Sequence, residues 1–168
     1  FLKFERILET YLAFAPKGFI NFKSSMPVWI KHKLFLKKTL LNDLNVHFGK
    51  KINFKKKLMF SEHHLSHAAS AFYPSPFINS AILTMDGVGE WSTTSIAVGE
   101  KNNITMLKDI NFPHSIGLLY SAFTNFLGFK VNSGEYKVMG LAPYGSPKYV
   151  NIIKDNLIKI ANDGSFKL

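Results

Sequence analysis

Cysteine is absent from this chain of 168 residues, which excludes disulfide bonds and thiolate chemistry. No stretch approaches the ~18 consecutive apolar residues of a membrane-spanning helix, and nothing resembles a secretory signal peptide. We therefore expect a cytoplasmic protein with no membrane partner. Acidic residues are also scarce, with 11 Asp and Glu against 21 Lys and Arg, so that the net charge is +10.

The excess positive charge is concentrated between residues 31 and 57. It is compatible with a solvated basic face, with an acidic partner, or with nucleic acid. No Arg-Gly or aromatic-interleaved basic repeat accompanies the lysines, which disfavours nucleic acid as the partner. The segment contains Lys31, Lys33, Lys37, Lys38, Lys50, Lys51, Lys55, Lys56 and Lys57.

Apolar side chains are plentiful. Hydrophobic residues make up 46% of the chain and 16 residues are Phe, which is enough to build one domain with a core. The chain starts at Phe1 rather than Met and stops within a strand-like pattern, so we expect a piece of a longer protein whose flanking segments are missing here. The predicted organisation is part of one domain, with a helical insertion over about 1–50, a core over about 58–145 and a final helix over about 147–162.

Helical spacing of apolar residues predicts a first helix over 2–14, which ends at the Ala15-Pro16-Lys17-Gly18 stop. A second helix is predicted to start after Ser25, with Pro27 in its first turn, and to run to Gly49. Residues 58–60 have the composition of a short buried strand.

Beyond residue 60 the pattern predicts a helix over 63–73 and a three-stranded antiparallel meander, in which a turn at 86–90 joins the first two strands. The strands are expected over 80–85, 92–99 and 104–110. A helix over 115–127 follows, and then a segment over 132–145 that is too rich in glycine for a long helix. An amphipathic helix over 149–161 and the start of a strand over 165–168 close the chain.

His63 and His67 are four positions apart, which places both imidazoles on one face of a helix, about one turn apart. Two ring nitrogens so placed can bind one divalent ion. His64 lies about 100° around the helix from His63, where it can cap the helix, replace His63 as the partner of His67, or hydrogen-bond substrate, the role we assign to it as the candidate catalytic residue. Without a third ligand, two histidines at this spacing are more often ordinary surface or core residues than metal ligands.

Asp86 is the candidate third ligand, because it ends an apolar strand where a side chain emerges at the edge of a sheet. Gly87 and Gly89 lack a Cβ atom, so the backbone there can approach a ligand closely. The backbone N–H groups of Gly87–Glu90, including Val88, can form a concavity that binds phosphate. The competing interpretation is that Asp-Gly here only favours a hairpin turn.

A third segment, Gly134–Gly145, contains a carboxylate, an ammonium group and further glycines. We predict that Gly134, Glu135, Lys137 and Gly140 contact a nucleotide or its phosphates. A Gly-rich connection between helices would explain the same composition.

With these segments in hand, the sequence resembles the carbamoyltransferases of nodulation and antibiotic tailoring. The resemblance is carried by Glu-His-His-Leu-Ser-His-Ala-Ala-Ser-Ala-Phe-Tyr-Pro-Ser-Pro-Phe (62–77), Leu-Thr-Met-Asp-Gly-Val-Gly-Glu-Trp-Ser-Thr (83–93) and Ser-Gly-Glu-Tyr-Lys-Val-Met-Gly-Leu-Ala-Pro-Tyr-Gly (133–145). Segments near residues 4–11 and 26–29 also look like this family, so the resemblance covers nearly the whole chain.

The resemblance implies an α/β fold, part of the actin-like ATPase (ribonuclease H-like) architecture with its antiparallel meander packed by helices. It implies a divalent metal, iron in the first place with zinc or manganese as alternatives, held by His63, His67 and Asp86, together with ATP. The implied reaction moves a carbamoyl group from carbamoyl phosphate, through carbamoyl-adenylate, to a hydroxyl of a small-molecule acceptor.

Three other functions stay open at this point. A tRNA threonylcarbamoyl transferase would share the histidine pair, but segments 69–73 and 138–145 resemble it less. A non-catalytic metal- or nucleotide-binding remnant is the second alternative. A sugar-kinase-like ATPase is the third, although kinase chemistry does not require the two histidines.

Overall fold

The computed structural model describes residues 5, 8, 11–12, 15–33, 35–49 and 52–168. The chain divides into two compact units, Phe1–Ser61 and Glu62–Leu168. The helix predicted over 2–14 lies mostly outside the described residues, and the predicted stop after it is a turn over 15–18.

The first unit is helical. It contains α1 (Phe19–Val28), a π-helical turn (Trp29–Lys33), α2 (Leu36–Phe48) and α3 (Phe54–Lys57). Gly49 ends α2 with a φ of 73°, a conformation that favours glycine. The predicted position of Pro27 in a first turn is wrong, because this residue lies near the end of α1. A π-helical turn, Trp29–Lys33, follows directly after this helix.

The strand predicted over 58–60 is also wrong. These residues form no regular structure, and Met59 and Phe60 are 88% and 61% exposed. Three apolar residues carry too little periodic signal to define a strand, and no strand pairs with them among the described residues.

The second unit contains the predicted meander, formed by β1 (Asn79–Gly89), β2 (Ser92–Glu100) and β3 (Asn103–Asn111) in the order β1-β2-β3. The register places Ile82 opposite Ala97 and Thr84 opposite Ser95. Side chains alternate between the two faces of a strand. Ile82, Thr84 and Asp86 therefore share one face of β1.

Helix α4 (His63–Phe72) packs on this inner face through His64, Ala68 and Phe72, which are buried and four positions apart. Ala68, Phe72, Ile82 and Ala97 form a core cluster. Because the helix turns by about 100° per residue, a second stripe, His63 and His67, lies at the edge of this contact and is exposed. The predicted helix over 63–73 is confirmed to within one residue.

Pairing between β1 and β2 is irregular beside Asp86. Met85 pairs with Thr94 and Gly89 pairs with Ser92, with a register shift between them. Asp86 thus lies within a bulged end of β1, and the reversal of the chain occurs at Glu90 and Trp91. The predicted turn over 86–90 is therefore placed too early, because Asp-Gly is compatible with a bulge as well as with a hairpin turn.

Helix α5 (Ile116–Phe126) begins at Ser115, whose side chain accepts a hydrogen bond from the N–H of Leu118. Helix α6 (Glu135–Leu141) and a 3₁₀ turn (Ala142–Tyr144) follow, and these short elements agree with the prediction that no long helix occupies the Gly-rich segment. The long final helix is wrong, since α7 covers only Val150–Asn156. The chain then pairs β4 (Lys159–Ile160) with β5 (Phe166–Lys167).

The second unit is a mixed α/β structure in which a three-stranded antiparallel sheet packs against helices. This is the fold class that the sequence predicts, and it agrees with the partial actin-like fold implied by the resemblance. Among the helices that the structure describes, none combines the length and apolar composition needed to cross a membrane.

Candidate functional site

Three predicted ligands converge at the edge where α4 meets β1. Nε2 of His63 lies 2.9 Å from Oδ2 of Asp86 and 3.0 Å from Nε2 of His67. Nε2 of His67 lies 3.8 Å from the same carboxylate oxygen. The structure therefore brings His63, His67 and Asp86 together, as the sequence predicts.

The side-chain atoms of this cluster, which we call the His-Asp cluster, have separations suited to a metal ion. Ligand atoms that each lie about 2.1 Å from a common ion are about 3.0–3.5 Å from one another in tetrahedral or octahedral geometry. The observed separations run from 2.9 to 3.8 Å. Two imidazoles and one carboxylate suit iron, zinc or manganese and leave coordination positions open for exchangeable ligands.

Solvent reaches the cluster on one side. The side chains of His63 and His67 are 43% and 50% exposed, whereas Asp86 is 20% exposed. The carboxylate therefore forms the inner wall of the cluster and the two imidazoles form its rim. A small molecule can approach from the rim without displacing the core.

Gly89 makes room for this arrangement. A Cβ atom at Gly89 would overlap the ring of His63 and would lie 2.8 Å from Oδ2 of Asp86. Glycine is therefore required here so that His63 and Asp86 can lie against the backbone. The close approach of this backbone to a ligand, predicted from the sequence, stays a prediction.

Helix α5 holds the backbone of the bulge. Oγ of Ser115 donates a hydrogen bond to the carbonyl of Gly87 at 2.6 Å and lies 3.3 Å from the carbonyl of Asp86. A Cβ atom at Gly117 would overlap the carbonyl group of Asp86. The start of α5 thus fixes the backbone that carries the carboxylate.

His64 is not at the rim. It is 4% exposed, its Nδ1 lies 2.8 Å from Oγ of Ser95, and its Nε2 lies 3.4 Å from Oδ1 of Asp86. The imidazole faces the interior side of the carboxylate, opposite the two exposed histidines. A direct role in the reaction, predicted from the sequence, remains a prediction.

The residues predicted to bind phosphate after Asp86 occupy the end of β1 and the turn. Gly89 is buried, Gly87, Val88 and Glu90 are half-buried, and Glu90 adopts a φ of 63°. This backbone directly follows the carboxylate of the His-Asp cluster.

The other predicted nucleotide contacts lie at α6. Oε1 of Glu135 accepts hydrogen bonds from the N–H of Asn132 at 2.9 Å and from Oγ of Ser121 at 3.0 Å, and Oε2 accepts from the N–H of Gly134 at 3.2 Å. These bonds, that of Asn132 first, lower the pKa of Glu135. The carboxylate of Glu135 thus organises its own loop.

Lys137 and Gly140 lie on the exposed side of α6. The ammonium group of Lys137 lies 6.0 Å from the ring centroid of Tyr136. Gly134, buried against Lys130 and Phe129, precedes the helix at a point where a Cβ atom would lie 2.7 Å from the carbonyl oxygen of Lys130. Packing within the segment accounts for Gly134, whereas a Cβ atom at Gly140 would meet nothing within 4 Å.

Sequence reasoning missed three residues of the site: Ser95, Ser115 and Gly117. Ser115 followed by a helical apolar pattern is an N-cap signal, and a glycine inside that pattern, Gly117, signals close packing. Ser95 gives no such signal, because its contact with His64 joins residues 31 positions apart.

Comparison with known proteins gives a consistent result. The family model described as "Carbamoyltransferase N-terminus" matches residues 2–168. An uncharacterized protein of Synechocystis sp. is 58% identical over 165 residues, which are 98% of this chain and 27% of that protein. Nodulation protein NolNO of Sinorhizobium fredii is 35% identical over 146 residues, 87% of this chain and 21% of that protein.

A third relative, nodulation protein NolO of Bradyrhizobium diazoefficiens, is 36% identical over 108 residues, 63% of this chain and 19% of that protein. The chain therefore spans about a quarter of the length of the curated relatives it matches.

Proposed function

Because the chain belongs to the family of carbamoyltransferase N-terminal domains, we propose that it forms part of an O-carbamoyltransferase. The proposed reaction transfers a carbamoyl group from carbamoyl phosphate, through carbamoyl-adenylate, to a hydroxyl of a small-molecule acceptor, with ATP as co-substrate. The proposal concerns the whole protein, since the matched relatives are about four times as long as this chain.

The observation that carries the proposal is the His-Asp cluster. His63, His67 and Asp86 each offer one ligand atom, and these atoms all lie within 4.8 Å of one another. A divalent metal bound there would act as a Lewis acid on a carbonyl or phosphate oxygen and would favour deprotonation of the acceptor hydroxyl.

The chain's own residues have distinct tasks in this proposal. His63 and His67 present neutral imidazole nitrogens from one helix face, and Asp86 supplies the negative charge. The glycines at 87 and 89 let the backbone after Asp86 approach a phosphate, whose charge the partial positive charges of backbone N–H groups favour. Lys137, exposed on α6, neutralises further phosphate charge.

Elemental analysis tests whether the His-Asp cluster binds a metal ion. The chain, its His67→Ala variant and a His47→Ala control are purified without chelator or affinity tag. His47 is a matched control because it is another exposed histidine on a helix. We expect near-stoichiometric metal in the wild type and the control and none in His67→Ala. Absence of metal from the wild type, or equal content in all three proteins, would contradict the proposal.

Nucleotide binding is tested separately by titration of ATP with Lys137→Met and with Lys154→Met, an exposed lysine on α7. We expect only Lys137→Met to weaken binding, and the difference should shrink as salt is added because screening weakens exposed charge contacts. Carbamoyl transfer is measured with the full-length protein. The assay follows carbamoylation of a hydroxyl acceptor.

A further inference from the structure

We propose that His64 is a positioning residue: its Nε2–H holds Oδ1 of Asp86, so that Oδ2 of the same carboxylate faces His63 and His67. This inference rests on the proposed metal function of the His-Asp cluster. It assigns His64 to the interior side of the site, away from the substrate.

The first support is the placement of two buried atoms. Nε2 of His64 and Oδ1 of Asp86 are both buried without a hydrogen-bond partner within the described part of the chain, and they lie 3.4 Å apart. Buried polar atoms are nearly always paired. A shift of a few tenths of an ångström would bring these two to ordinary N–H···O distance, about 2.9 Å.

The second support is the partner on the other ring nitrogen. Ser95 is 2% exposed, and its Oγ lies 2.8 Å from Nδ1 of His64. A serine hydroxyl can donate to an unprotonated Nδ1, which leaves the ring proton on Nε2. In the opposite tautomer, lone pairs of Nε2 and Oδ1 would face each other at 3.4 Å, which is repulsive. The Ser95 hydroxyl can hold Nδ1 in either tautomer, because it can donate or accept, and Oδ1 of Asp86 selects the tautomer that donates to it.

The third support is that the two oxygens of the Asp86 carboxylate face different histidines. Oδ2 faces His63 at 2.9 Å, and Oδ1 faces His64. One carboxylate thus links the exposed ligand pair to a buried imidazole. Groups that hydrogen-bond a metal ligand from behind orient it, and their loss typically weakens metal binding by about 10- to 100-fold.

The first test needs no metal. Long-range ¹H–¹⁵N correlation spectra of the metal-free chain, recorded near pH 8.5 where histidine is mostly neutral, report the tautomer of each ring. We expect His64 to carry its proton on Nε2, where the carboxylate of Asp86 can accept it. A wild-type His64 protonated on Nδ1 would overturn the inference.

The second test is titration with Co²⁺, followed by its absorption spectrum, and competition with Zn²⁺. His64→Leu keeps a buried side chain of similar size and should weaken binding about 10- to 100-fold. His64→Gln keeps an N–H donor near the position of Nε2 and should recover most of the affinity. Thr124→Val, which removes a buried hydroxyl bonded within α5, is the control and should bind like the wild type.

Circular dichroism identifies any variant that fails to fold, in which case Ser95→Ala replaces His64→Leu and should also weaken binding. Wild-type affinity in folded His64→Leu would overturn this inference while leaving the proposed function intact. A wild-type chain that binds neither Co²⁺ nor Zn²⁺ would overturn the metal function and the positioning role together.

Discussion

Gly89 lies so close to His63 that a Cβ atom on the glycine would occupy the space of the imidazole ring. The same atom would lie 2.8 Å from Oδ2 of Asp86. Two of the three candidate ligands therefore depend on one missing methyl group. A residue with no functional atom in its side chain thus determines the geometry of the cluster.

Replacing Gly89 by alanine should separate the ligands while leaving the chain folded, because the atoms that must move belong to two side chains, His63 and Asp86, and not to the backbone. We expect Gly89→Ala to weaken binding of a divalent ion by at least about tenfold, comparable with loss of an orienting contact. Isothermal titration with Zn²⁺ measures the effect. Gly145→Ala is the control, since a Cβ atom there would make an ordinary contact of 3.7 Å, and equal affinities in the two variants would contradict the prediction.

Gly117→Ala should lower the stability of the folded chain. The added Cβ atom would meet the backbone of Asp86 and the N atom of Gly87, the latter at 2.9 Å, and backbone atoms cannot move aside cheaply. We expect the free energy of unfolding to fall by about 1–3 kcal/mol, the usual cost of overpacking.

The matched control is Gly140→Ala, the same change inside another helix where nothing lies within 4 Å of the added atom. It should raise the free energy of unfolding by about 0.5–1 kcal/mol, because alanine favours helix over glycine. Urea unfolding of both variants measures the difference. The same sign of change in the two proteins would refute the close contact between α5 and β1.

Glu135→Gln should change how stability depends on pH. Hydrogen bonds, first from the N–H of Asn132, lower the pKa of Glu135 in the folded chain below its ordinary value of 4.5. The charged form is therefore favoured by folding, and its contribution is present above pH 4.5 and lost as the pH falls through the folded pKa. The wild type should exceed the variant most near neutral pH, and the gap should close in acid.

Urea unfolding from about pH 7 to about pH 2.5 covers the window in which a carboxylate with a lowered pKa titrates. Ser121→Ala removes one donor to the carboxylate and should reduce the pH dependence in the same direction, by less. A constant difference between wild type and Glu135→Gln over the whole range would rule out this role for the carboxylate.

Sequence patterns predicted the parts of the site that depend on local spacing. His63 and His67 are one helical turn apart in any α-helix, and the sequence places Asp86 at the end of an apolar strand, where the structure has the bulged end of β1. The meander was predictable for the same reason, since its strands are adjacent in the chain and joined by short turns.

The parts that depend on contacts distant in sequence were not predictable. Burial of His64 requires that α4 pack on the sheet with this stripe inward, and the adjacent stripe through His63 has the same residue type. The approach of Gly117 to Asp86 depends on where helix α5 packs against β1. Local composition also gave a wrong prediction where burial depends on tertiary contacts. Met59 is apolar and was predicted in a buried strand, yet it is exposed.

The bulge at the end of β1 has a consequence for how such a site can vary. Regular pairing resumes on both sides of residues 86–88, at Met85 and Gly89, so the ladder does not fix how many residues lie between these two points. The contacts that position residues 86–88 come instead from the start of α5, where the hydroxyl of Ser115 bonds the carbonyl of Gly87. A substitution at the start of α5 can therefore move the carboxylate of Asp86 while the pairing of the three strands stays the same.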